Sequence, residues 1–162
     1  MLRRLFLFLL LSLVLTACNS QKQLLPEKMP DDFGFSLKYG VTLANELNTY
    51  DDTFTKDLIE RGSVTTDMVL SNEELEVIYE KFRSTDVLGL PEVRNSSSCQ
   101  KPFSRYELSM TVDDEEYNLK WDTSCESKAL NIWESTMHFI NKEIIYQKEE
   151  YQSLPEATGG YQ

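Results

Sequence analysis

The sequence predicts an α+β fold: a single domain with an antiparallel sheet and two main helices, about 71–84 and 127–147, packed on one face. Three observations carry this. Apolar residues occupy alternate positions in Phe33-Phe35-Leu37-Tyr39, Tyr106-Leu108-Met110-Val112 and Tyr117-Leu119-Trp121, the period of a half-buried strand. Leu75, Ile78, Tyr79 and Phe82 fall instead at i, i+3, i+4 and i+7, one stripe of a helix. The order strands, helix, hairpin, helix then favours an antiparallel sheet over alternating βα units.

Taken in order, the first strand ends at Gly40. Further strands are expected over 45–50, 53–58 and 64–70, with Asp51-Asp52 at a turn and Arg61-Gly62-Ser63 as a break. Ser71-Asn72-Glu73-Glu74 matches a capping box, with Leu70 and Leu75 as its hydrophobic staple. Glu73, Glu74 and Glu76 in the first turns, and Lys81 with Arg83 in the last, suit the helix dipole. Gly89 and Pro91 stop the chain. Tyr106–Val112 and Tyr117–Trp121 read as a hairpin turning through Asp113-Asp114-Glu115-Glu116, which sets Tyr106 near Trp121 and Leu108 near Leu119. From Ser127 the helical period returns with Trp133, Met137, Ile140 and Ile144, widened by Ala129, Leu130, Ile132 and Ile145. The pattern is lost from Glu149 onward, so residues 151–162 read as a flexible tail.

Ahead of the domain, Arg3-Arg4 precedes an apolar run from Leu5 to Leu15, and small residues lead to Cys18. This is the layout of a secretory signal. The run falls short of the roughly 20 apolar residues of a spanning helix. An ordinary signal cut would leave Cys18 a free thiol, but Leu15 three places before it departs from the usual small-x-small site. Leu15-Thr16-Ala17-Cys18 resembles the lipobox of bacterial lipoproteins. That resemblance implies removal of residues 1–17, diacylglycerol on Cys18 and residence on the extracytoplasmic face of the cell membrane. Each buried methylene adds about 0.8 kcal/mol, so two or three chains anchor firmly where one does not. Residues 18–30 then form a flexible tether, with the globular domain over 31–150. Twelve tether residues reach about 40 Å when extended. The body of the chain resembles small lipoproteins of Gram-positive bacteria that have no assigned activity, a resemblance that implies no catalytic residues.

Loss of two arginines with residues 1–17 takes the formal charge from -11 to -13. Such a chain repels nucleic-acid phosphates, which argues against a nucleic-acid partner. Cys99 and Cys125 remain as an even pair in an oxidising compartment and read as a disulfide across the open end of the hairpin. No cofactor fingerprint, catalytic constellation or metal-ligand spacing stands out; His138 is the only histidine, and the acidic turn lacks the order of a calcium loop.

Arg94, Lys101 and Arg105 gather without an intervening acid. They form the candidate binding loop, with solvation or internal pairing as the plainer reading. Tyr50 and Phe54 follow as exposed aromatics. The expected function is a non-catalytic binding module for an unknown protein or envelope ligand. The rivals are an inhibitor or immunity-type lipoprotein and an envelope hydrolase. The lipobox reading predicts that Cys18→Ala leaves unprocessed precursor in the cell and removes the mature protein from the detergent phase; processing and membrane retention like wild type would refute it.

Overall fold

The computed structural model describes residues 24–91 and 99–162. Four strands come first: β1 (Gly34–Gly40), β2 (Asn45–Asn48), β3 (Thr53–Asp57) and β4 (Ser63–Asp67). Helix α1 (Asn72–Ser84) and one 3-10 turn (Val87–Gly89) follow, then β5 (Arg105–Val112) and β6 (Glu115–Asp122). Helix α2 (Lys128–Phe139) continues without a break into a π turn (Ile140–Ile144) and a 3-10 turn (Ile145–Gln147), and the short α3 (Glu149–Gln152) comes last. The strands make one sheet in the order β4-β3-β2-β1-β5-β6, with every neighbouring pair antiparallel. The expected α+β class therefore holds.

Register explains the core. Phe54, Leu47, Leu37, Leu108 and Leu119 lie opposite one another across five strands, and the first four are almost fully buried. Burying each such side chain contributes about 1.5–3 kcal/mol. The expected pairs Tyr106–Trp121 and Leu108–Leu119 are present. Helix α1 buries Ile78, Tyr79 and Phe82. Tyr79 meets Phe33 edge-on at 5.0 Å, and Phe82 meets Phe35 at 5.7 Å.

The capping box forms as read: Ser71 Oγ accepts from Glu74 N at 3.2 Å, and Ser71 N donates to Glu74 Oε2 at 2.8 Å. Glu74 also holds Lys148 Nζ at 2.9 Å, and Lys148 donates to the Val69 carbonyl at 3.0 Å. The start of α1 is thereby tied to the end of the second helical segment.

That second segment spans the expected length but changes pitch. In a π turn each N–H reaches five residues back, which lets Ile140, Ile144 and Ile145 all bury. Ile132, expected on the apolar stripe, is 38% exposed. It lies one place before Trp133, about 100° around the helix, and so falls outside the core face.

Both ends of the domain differ from expectation. Of the expected tether, residues 24–30 lie against the domain. Leu25 is buried, Met29 packs on the core, and Tyr79 Oη donates to the Pro26 carbonyl at 2.8 Å. Residues 151–162 are docked as well. Tyr151 and Leu154 pack on the core, Thr158 bridges Ile59 in parallel, and Tyr161 Oη donates to Asp57. These contacts use isolated apolar residues, which leave no period in the sequence.

The acidic hairpin turn is tighter than its four acids suggest. Only Asp113 and Asp114 are in it, at φ 52° and 61°, as a two-residue type I′ turn requires. Asp32 caps the turn, its two carboxylate oxygens accepting from Asp113 N at 3.0 Å and Asp114 N at 2.7 Å. These N–H donors hold the Asp32 carboxyl below its ordinary 3.8. A depressed carboxylate contributes stability above its unfolded pKa and loses it as pH falls through the folded value. Asp32→Asn should therefore lower the melting temperature at pH 7 and flatten the decline in stability below about pH 4. Thermal melts from pH 2 to 7 check both outcomes.

Candidate functional site

The helices cover only one face of the sheet, and the other face positions the candidate site. Strand alternation fills that face with short polar and charged groups in register. Asp67, Thr53, Asn48, Ser36, Ser109 and Asn118 make one row across the six strands. Thr65, Thr55, Glu46, Lys38, Glu107 and Lys120 make the next. All twelve keep some exposure.

Four of the charges of this face pair within it. Lys120 Nζ donates to Glu107 Oε1 at 2.8 Å, and Lys38 lies 3.9 Å from Glu46, which also accepts from Ser36 Oγ at 2.7 Å. Such exposed pairs contribute little stability. Their effect is to mask both lysines of the rows, while Asp67 in the first row and Glu116 beyond it leave the surface modestly negative.

One aromatic side chain stands on that surface. Tyr50 follows β2 in the four-residue turn to β3, and its hydroxyl donates to the Gly34 carbonyl at 3.0 Å and shares a hydrogen bond of 2.9 Å with Thr111 Oγ1. The ring crosses Gly34, where a Cβ would stand 2.8 Å from Tyr50 Cε1. Glycine is what admits the ring. Tyr50 is thus fixed at its tip yet 51% exposed. Beside it lies a depression of about 300 Å³, lined by Ser109, Thr111, Glu116 and Asn118 among others. Ser109 Oγ donates to Asn118 Oδ1 at 2.7 Å, which leaves the Asn118 Nδ2 donors and the exposed Glu116 carboxylate without hydrogen-bond partners among the described residues. Phe54, the other aromatic expected to be exposed, is fully buried, because its parity in β3 turns it to the helical side.

The candidate basic loop is only partly described: Arg94 lies outside the described residues. Lys101 is exposed. Arg105 opens β5 opposite Gly40 and Asp122, with its guanidinium 5.5 Å from the Phe103 ring centre. Cys99 and Cys125 stand at disulfide distance, Cα to Cα 5.0 Å. Cys99 N and Gln100 N both donate to the Ser124 carbonyl, at 3.0 and 3.1 Å, and Gln100 Nε2 donates to the Thr123 carbonyl at 2.8 Å. The segment from Cys99 is therefore laid along the end of the hairpin.

Two further features lie elsewhere. On the inner face Tyr39, Tyr106, Trp121 and Trp133 stack in succession, the last two 3.6 Å apart. Burial pushes the Tyr39 hydroxyl far above the ordinary range, aided by Tyr146, Tyr151 and Tyr106. Lys56 is buried next to this corner, 4.8 Å from the Tyr151 ring centre and 3.8 Å from Glu156. On the helical side a shallow groove of about 560 Å³ runs along α1, where Val77 and Phe139 are rimmed by Glu73, Glu76 and Glu80. Among the described residues no group of three or more His, Cys, Asp or Glu is placed to hold a metal ion, and no helix is long and apolar enough to cross a membrane. His138 is exposed on α2.

No protein-family model, curated protein or solved structure matches the chain.

Proposed function

We propose that the mature protein is held by diacylglycerol on Cys18 at the extracytoplasmic face of the cell membrane, where it acts as a non-catalytic binding module. The observation that carries this reading is the open sheet face, with its in-register polar rows and the fixed, half-exposed Tyr50. A rigid six-stranded support presents that surface ready-made, which lowers the ordering cost of binding. An inhibitor that blocks an enzyme at the membrane would use the same surface.

The reading includes a closed Cys99–Cys125 bond. A bridge between residues 26 apart contributes about 3.5 kcal/mol in the chain-entropy model. Alkylation of envelope-derived protein without reductant should label neither cysteine, and labelling of both would show the bond open.

The contact surface is tested by capture of envelope components on the immobilised chain from Asn19 onward. Ser109→Arg places a long cation over the depression and should reduce capture about tenfold or more while the melting temperature stays near wild type. Arg94→Glu with Lys101→Glu should leave capture within about twofold of wild type. The reverse pattern, sensitive to the loop and indifferent to Ser109→Arg, would transfer the site to the basic loop.

A further inference from the structure

We propose that the depression beside Tyr50 binds an uncharged pyranose of an envelope glycan. This rests on the binding-module reading and names its ligand. Size is the first argument: about 300 Å³ lies at the lower end for small-molecule sites, enough for one or two sugar rings and too small for a folded partner's side-chain cluster.

Charge is the second. The nearest cations of the face, Lys120 and Lys38, are engaged by Glu107 and Glu46, so the depression offers an anion no free positive group. Glu116 and the formal charge of the whole chain, -11 before any processing, repel one. A phosphate- or uronate-bearing polymer is disfavoured on both counts. A cationic ligand would find a single carboxylate and no acidic enclosure.

The third argument is the set of groups. Asn118 Nδ2 supplies two N–H donors, Glu116 supplies carboxylate acceptors, and Ser109 Oγ retains acceptor capacity because its proton goes to Asn118 Oδ1. Adjacent hydroxyls on a pyranose each donate and accept, and so can engage a carboxylate and an amide together. Tyr50 adds an aromatic surface against which the C–H side of the ring can rest. Its hydroxyl is committed to Gly34 and Thr111, so the ring is already in place before the sugar arrives. Such a small open site suits a weak interaction, with a dissociation constant on the order of 1 mM.

The test is a ¹⁵N NMR titration of the chain from Asn19 onward with maltotriose, cellotriose and N,N′,N″-triacetylchitotriose, and with trigalacturonate as an anionic trimer of similar size. At least one uncharged trimer should shift the amides of Tyr50, Glu116 and Asn118 in a saturable way, and trigalacturonate should leave them in place. Asn118→Ala, on an exposed strand position, should weaken the effect about fivefold or more. Gly34→Ala should do the same by displacing the Tyr50 ring. The proposal is overturned if none of the three trimers moves these amides at about tenfold the expected constant, if trigalacturonate moves them equally, or if Asn118→Ala binds like wild type. Titrating the dimer and hexamer of the trimer that binds then separates two forms of the ligand: an affinity that rises with chain length assigns a polymer lying across the face, and a constant one a short sugar. If Ser109→Arg abolishes envelope capture while every trimer fails, the sugar falls and the binding module stands; if capture is indifferent both to Ser109→Arg and to the Arg94→Glu, Lys101→Glu pair, both fall.

Discussion

One-sided burial governs this molecule. Helices α1 and α2 lie on the same face of the sheet, so each strand must sort its residues by parity, apolar toward the helices and polar away from them. A slip of one residue in any strand would bring Ser36, Asn48 or Ser109 inward and turn Leu37, Leu47 or Leu108 out. That cost is paid across several strands at once, which fixes the register of the whole sheet. The site follows from the register. Gly34 meets Thr111 and Ser109 meets Asn118 only in this pairing, and the Tyr50 hydroxyl bridges two strands that the core has already aligned.

The same constraint decides what the sequence makes legible. Alternation in β1, β5 and β6 and the capped stripe of α1 are local patterns with strong energetic backing, so strand parity, the hairpin pairs and both long helices can be read directly. The tether and tail cannot. Leu25, Met29, Tyr151 and Leu154 each bury alone, against partners far away in the chain, and a single apolar residue has no period. Lys56 shows the opposite difficulty: two places after Phe54, it has inward parity despite its charge, and only the fold supplies the Tyr151 ring that covers it.

The candidate site was half visible. Tyr50 stands out in sequence as an aromatic beside a turn, but its support is Gly34, sixteen residues earlier, and Thr111, sixty-one residues later. Nothing local announces either. The basic loop drew attention because charge contrast is a local signal, whereas the polar face is inconspicuous for the same reason: Lys38, Glu46, Glu107 and Lys120 cancel only once the strands bring them side by side. The lysines of this face are thus masked by pairing, and net charge alone is a poor guide to what that surface meets.

The docked N-terminal segment also bears on where that surface would face. Met29 to Asp32 share a hollow with Asp113 and Asp114, so the chain enters the sheet at the tip of the β5–β6 hairpin, the end at which Thr111 and Glu116 line the Tyr50 depression. Asp31, Asp32, Asp113, Asp114 and Glu115 gather at that same end and repel an anionic group over a screening length of about 8 Å. The proposed lipid on Cys18 would stand six Cα–Cα steps from Leu24, a reach of at most about 22 Å, well below the 40 Å of a free tether. A domain held on that leash would stay close to the bilayer, and a glycan within its reach would be one that passes near the membrane surface, not one at the outer limit of the envelope.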